Sequence, residues 1–275
     1  MAMFHHDDLH RARVPQEVAH RLFALGAGRP LKARVLPGGC RGRKPVPPPL
    51  VALHGISREA LAHWQAFGPL AAAQGRALLV PRFDERDWPQ FQQIGRVRPD
   101  LVLLDLLRQA GLVTQRVDLF GFSGGAQLAH RFAMLYPHRV ATLHLAAPGW
   151  YTLPDTTVPW PLGLGDGPRR SRRSLDPAAL SRLQLRQYLA LKVRLWVGER
   201  DVGREASLRQ TEMLDVLQGR TRLDRARRYA DAFRRAALDH GLEPDIDLKV
   251  LPGCGHNFTD CARTGNLAAR VLQDG

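Results

Sequence analysis

Arg116-Val117-Asp118-Leu119-Phe120, then Gly121-Phe122-Ser123-Gly124-Gly125, then the apolar run Ala126 to Tyr136: the architecture of the chain is read most directly from these residues. The first segment reads as a strand and the last as a helix, and the five residues between them spell Gly-x-Ser-x-Gly. A sharp strand-to-helix turn strains the backbone of its central residue and leaves no room for side chains on either side. Gly121 and Gly125 meet that requirement. The Ser123 hydroxyl then projects above the sheet at the positive end of the following helix, the placement of a nucleophile. In a chain with 25 glycines the string alone arises by chance, and its position between strand and helix is what gives it meaning.

A serine needs a base and an orienting acid to attack an acyl carbon, and both are present in the chain order serine, acid, histidine. Lys192 to Val197 reads as a buried strand and empties into Gly198-Glu199-Arg200-Asp201. Ile246 to Leu251 alternates as a strand and empties into Pro252-Gly253-Cys254-Gly255-His256. Both candidates stand at C-terminal strand ends, where open α/β sheets place their ligands. Asp118, Glu199 and Asp245 compete for the acid role. Only Asp201 lies past a strand end at the required position, with Glu199 as the alternative. Val51-Ala52-Leu53-His54-Gly55-Ile56 is a short apolar strand that turns at His-Gly, and the loop after it is expected to donate a backbone N–H to a developing oxyanion. An imidazole at His54 suits a brace for that loop better than a base.

Together these segments, from about Val51 to Leu272, resemble the α/β-hydrolase fold enzymes of the esterase, lipase and polyester-depolymerase kind. The resemblance implies an α/β fold with a mostly parallel sheet flanked by helices and a cap insertion around residues 148–186. It further implies Ser123 as nucleophile, His256 as general base, Asp201 as orienting acid, and the N–H groups of Gly124 and Ile56 as the oxyanion hole. Such an enzyme hydrolyses a small-molecule acyl ester through an acyl-enzyme and needs no cofactor and no metal. An amidase, peptidase or thioesterase would use the same triad. A non-catalytic binder of the same fold is the alternative of another class, but a binder has no need of all three residues.

Composition bounds the rest. A chain of 275 residues with 44% hydrophobic residues can bury one sizeable core. No apolar stretch approaches the length of a membrane span, and the first ten residues lack the apolar core of a secretory signal. Three cysteines, Cys40, Cys254 and Cys261, give no disulfide framework and fit a reducing, cytoplasmic setting, although a Cys254–Cys261 bridge is conceivable in an exported protein. These two thiols flanking His256 lack the paired spacing of a structural zinc site.

The formal charge of +14 raises the question of nucleic acid. Only Lys32, Lys44, Lys192 and Lys249 are lysines, so the basic residues are overwhelmingly arginine and run along the whole chain. The densest groups are Arg169 to Arg173 and Arg220 to Arg235. The second reads as an amphipathic helix with Leu223, Ala226, Ala230, Phe233 and Ala237 inward and its arginines solvated. No nucleic-acid motif accompanies either group, so no specific nucleic-acid partner is expected.

The chain divides into residues 1–48, a leader and Pro-rich connector with weak strand signals around Leu31 to Leu36 and upstream, and residues 49–275, the catalytic domain. From Val51 onward strands and helices alternate, which implies parallel strands joined by crossovers. Glu59 to Ala73 is a helix expected to bury Leu61, Trp64, Phe67 and Leu70. The cap is rich in Pro, Gly, Trp and Arg, as functional loops of that length tend to be. Phe122, Trp150 and Tyr151 are the candidates to line a substrate pocket, with Trp160 beside them, and plain packing onto the sheet explains the cap aromatics equally well. His130, His138 and His144 read as packing or surface residues.

Overall fold

The computed structural model describes residues 21–24, 29–39, 47–95, 97–166 and 176–275. Its strands are β1 (Arg21–Ala24), β2 (Pro30–Leu36), β3 (Leu50–Leu53), β4 (Leu78–Arg82), β5 (Val117–Phe122), β6 (Val140–Ala146), β7 (Lys192–Gly198) and β8 (Ile246–Leu251). They form one sheet in the order β1-β2-β4-β3-β5-β6-β7-β8. From β4 to β8 every neighbouring pair is parallel, while β2 runs antiparallel to both β1 and β4. The sheet therefore takes in strands from before residue 49, and the division at residue 48 does not describe it.

Alternation along each strand sends side chains to two separate cores. Val51, Leu79, Leu119, Leu143 and Leu195 face one, and Ala52, Val80, Phe120, Ala146 and Trp196 face the other. The first core is closed by α2 (Pro99–Gln109), α3 (Gly124–Leu135), α5 (Leu185–Leu189) and α7 (Arg222–Asp239). The second is closed by α1 (Ala60–Gln74), α8 (Phe258–Arg263) and α9 (Leu267–Asp274). Further α-helices among the described residues are α4 (Pro177–Leu183) and α6 (Glu212–Gln218). Being covered on both faces, β3 is buried at all four positions, as a central parallel strand should be.

The buried face of α1 is rotated from the expected one. Trp64 and Phe67 point inward, but Leu61 is half exposed and His63 takes an inward place, its ring stacked on Phe258 at 3.6 Å. Of the cap, the described residues are 148–166 and 176–186, and α4 is N-capped by the Asp176 carboxylate, which accepts the Ala178 N–H at 2.9 Å. Arg169 to Arg173 lie outside the described residues. No helix among those described is long and apolar enough to cross a membrane.

Because β3, β5, β7 and β8 run the same way, their C-terminal ends share one edge of the sheet. The loops leaving that edge carry His54 to Ile56, Ser123, Asp201 and His256.

Candidate active site

The turn after β5 forces Ser123 to φ 51° and ψ −112°, a left-handed conformation that a residue with a side chain adopts only when its surroundings impose it. Those surroundings are backbone. A Cβ on Gly121 would stand 2.4 Å from the Gly125 carbonyl oxygen, and one on Gly125 would stand 2.3 Å from that of Leu53. The crossing of β5, α3 and β3 thus depends on the two glycines. The Ser123 N–H donates to Ala146 O at 2.8 Å, which ties the turn to β6.

Asp201 and His256 are brought together by two loops laced to each other. The N–H groups of Glu199 and Arg200 donate to Leu251 O at 2.9 Å and Cys254 O at 2.8 Å, and the Glu199 carboxylate accepts the Gly253 N–H at 2.9 Å. Glu199 therefore braces the histidine loop and does not touch the imidazole. Gly198 permits the approach, since a Cβ there would meet Cys254 O at 2.3 Å. Of the other carboxylates weighed for the acid role, Asp118 is buried against Arg76 and Asp245 pairs with Arg194.

Ser123, His256 and Asp201 form a continuous line. His256 Nε2 lies 3.1 Å from Ser123 Oγ, and its Nδ1 lies 2.8 Å from Asp201 Oδ2. A carboxylate can only accept, so Nδ1 carries the proton and Nε2 is left to accept from the serine hydroxyl. The Asp201 side chain is wholly buried, while that of His256 is partly exposed, at 15%. Asp201 Oδ1 accepts from Arg222 Nη1 at 3.0 Å, in an ion pair fully enclosed on both sides.

Gly124 and Ile56, the residues expected to donate to the oxyanion, lie beside each other. The Cβ position of Gly124 is 3.4 Å from the Ile56 amide nitrogen and 2.7 Å from Ile56 Cγ2, so the two backbones approach next to Ser123. The loop is held by His54, whose Nδ1–H donates to Gly55 O at 2.8 Å while Nε2 accepts the Phe83 N–H at 3.0 Å. Burial lowers the His54 pKa to about 4, which keeps the ring neutral and its acceptor nitrogen available. Arg58 adds bonds to Phe83 O at 2.6 Å and Trp88 O at 3.1 Å, with its guanidinium over Phe91. Nothing in the local sequence marked Arg58 as a brace.

The pocket aromatics part company. Phe122 stacks on the His256 ring at 5.2 Å and meets Phe258 edge-on at 5.6 Å, so it belongs to the site. Tyr151 does not: it is wholly buried and stacked on Tyr229 at 4.3 Å, with Gln218 bonded to both its N–H and its carbonyl. Trp150 is 6% exposed and clasped between Arg131 at 4.1 Å and Arg209 at 5.7 Å. Trp160 is partly buried against the first core.

The arginines of the 220–235 stretch are not all solvated. Arg227, Arg228 and Arg235 are exposed, but Arg222 and Arg225 are buried. Arg225 bonds Gly219 O at 2.8 Å, Arg209 O at 3.0 Å and Asp215 Oδ1 at 3.0 Å. The first turn of α7 thus points two cations inward, where they hold the loops beside Asp201. An arginine at the start of an amphipathic helix reads as solvent-facing unless its carboxylate partner is known.

Comparison with solved structures agrees with this architecture. The poly(aspartic acid) hydrolase-1 of Sphingomonas sp. KT-1 superposes with a TM-score of 0.71 at 22% identity, over 92% of this chain and 98% of that one. The fold is that of the α/β hydrolases. A poly(3-hydroxybutyrate) depolymerase, LpqC from Bordetella parapertussis, gives 0.70 at 24% identity, over 94% of both chains. A ferulic acid esterase gives 0.56 at 12% identity, over 94% of this chain and 98% of the other. No protein-family model matches the chain, and no curated protein matches it in sequence.

Proposed function

We propose that this α/β-hydrolase-fold protein is a serine hydrolase that cleaves carboxylic esters. The observation that carries the reading is the unbroken line from Ser123 Oγ through the two nitrogens of His256 to Asp201 Oδ2. In this reading His256 Nε2 takes the hydroxyl proton as Ser123 attacks the acyl carbon, and returns it to the departing alcohol. Asp201 keeps the proton on Nδ1 and stabilises the imidazolium that forms. The Gly124 and Ile56 amides receive the charge on the tetrahedral oxygen, each contributing about 3 kcal/mol. Water, activated by the same imidazole, then releases the acid.

Phe122 against His256 supplies an apolar wall, which suits an uncharged acyl or aryl ester. The free thiols of Cys254 and Cys261 support the cytoplasmic part of the reading. The proposal includes no specific nucleic-acid partner, because the two buried arginines of α7 serve the fold and the others there are solvated. A panel of 4-nitrophenyl esters, the matching anilides and thioesters, assayed with the wild type and Ser123→Ala, tests it. Turnover of esters above the other two, absent in the variant, is the expected result. Hydrolysis of anilides or thioesters in preference to esters would move the assignment to an amidase or thioesterase.

A further inference from the structure

Arg222 opens α7 directly after Thr221, whose side chain caps the helix by accepting the Asp224 N–H at 3.1 Å. The cap fixes where the first turn begins and so aims Arg222 back at the loop that follows β7. There Nη1 donates to Asp201 Oδ1 at 3.0 Å and to Glu205 Oε2 at 3.1 Å, and Nη2 donates to Ser207 Oγ at 2.9 Å. Asp201 Oδ2 is taken by His256, so the carboxylate is gripped through both oxygens by two different partners. Among the described residues no other group donates a hydrogen bond to Oδ1 from a side chain.

A buried carboxylate with one oxygen unpaired costs free energy, and it lowers that cost by rotating toward another donor or by taking up a proton. Either response spoils its work on the imidazole, for which it must stay ionised and coplanar with Nδ1–H. We infer that Arg222 is a positioning residue of the reaction: through Oδ1 it holds the Asp201 carboxylate oriented toward His256. The inference rests on the serine-hydrolase reading proposed above. It makes the relay four residues long, with its fourth member on a helix remote in sequence from the strand ends.

Arg222 also ties the 199–211 loop to α7 through Glu205 and Ser207, and a plain tether would predict the same contacts. The two roles separate by mutation. Arg222→Met removes the donor to Asp201, whereas Glu205→Gln with Ser207→Ala weakens the tether and leaves the Asp201 bond in place. The wild type, Arg222→Met, Arg222→Lys, Arg222→Gly and the Glu205→Gln/Ser207→Ala pair are compared for melting temperature, for fluorophosphonate labelling of Ser123, and for kcat and KM on a 4-nitrophenyl ester.

The expected result for Arg222→Met is a kcat about a hundredfold lower at nearly unchanged KM, the scale of effect that misplacing a catalytic group produces. Arg222→Lys recovers part of the loss, and added guanidinium restores part of the kcat of Arg222→Gly. The paired tether variant keeps the wild-type kcat. A tether variant that loses as much kcat as Arg222→Met overturns the inference, as does an Arg222→Met enzyme with undiminished kcat. Should Arg222→Met fail to fold, the lysine variant and the guanidinium response decide: no loss in the first, or no recovery in the second, counts against it. A wild type inert to both fluorophosphonate and ester defeats the hydrolase reading and this inference with it. An active, labelled wild type with an indifferent Arg222 defeats this inference alone.

Discussion

The Phe122 ring lies against the His256 imidazole, with centroids 5.2 Å apart and the planes inclined by 24°. Phe122 is fixed in turn by Phe258, and Phe258 by His63, so a row of rings runs from the core under α1 to the histidine. Removing the ring frees the imidazole to tilt away from Ser123. Phe122→Leu is expected to lower kcat by up to about tenfold, as the loss of a stacked aromatic contact suggests, without changing the fold. Steady-state kinetics on a 4-nitrophenyl ester, with a melting curve of the same preparation, checks it.

Three glycines of the elbow separate folding from activity. Gly121→Ala and Gly125→Ala each drive a Cβ into backbone at 2.4 Å or less, and backbone of the central sheet cannot yield, so both variants are expected to be insoluble or unfolded. Gly124→Ala meets the Ile56 Cγ2 methyl at 2.7 Å, a side-chain contact on a half-exposed residue that can shift with its loop. That variant is expected to fold and to lose activity, because displacing Ile56 displaces the proposed oxyanion donor. Circular dichroism and ester turnover on the three proteins distinguish the outcomes.

Four buried histidines make the fold acid-sensitive. Burial lowers the pKa of His54 to about 4 and that of His63 to about 3, and it holds His130 and His144 well below the ordinary imidazole range. Once unfolded, each takes up a proton near its ordinary value of about 6.5. Below that pH the unfolded state binds more protons than the folded one, so stability falls as pH falls, by about 1.4 kcal/mol per pH unit for each such group. The loss begins near the unfolded value and continues down to about pH 4 for His54 and about pH 3 for His63. Urea midpoints measured from about pH 7.5 to about pH 4.5 should drop steeply over the lower half of the series, and a flat series would contradict the neutral burial of these rings.

The Arg76–Asp118 pair holds the other end of β5. Both side chains are wholly buried, and Asp118 also accepts the Thr142 N–H at 2.9 Å. Arg76→Met leaves a buried carboxylate uncompensated and is expected to cost about 3–5 kcal/mol. Because the pair lies at the end of β5 opposite Ser123, the folded fraction should retain the wild-type kcat. Chemical denaturation and active-site titration measure the two effects separately.

Much of this was legible in the sequence because it rests on local pattern. β8 starts and ends where its alternation does, and Ser123, Asp201 and His256 each follow a stretch that reads as a strand. What escaped depends on partners distant in the chain. Arg222 and Arg225 carry a residue type that reads as solvated, and only the approach of Asp201, Asp215 and Gly219 makes their burial tolerable. Tyr151 lies in a segment with no period, so nothing local told a pocket wall from a ring stacked on Tyr229. His63 took the inward place expected of Leu61 because the flat face of Phe258, far along the chain, was there to receive it.

In the proposed reaction Ser123 is a nucleophile activated by His256. Reaction with a fluorophosphonate, followed by mass spectrometry of the digested protein, tests it most directly. One adduct per chain is expected on the peptide containing Ser123, lost in Ser123→Ala and nearly lost in His256→Ala while both variants remain folded. Ester hydrolysis that persists in folded Ser123→Ala, or an adduct on any other residue, would contradict it.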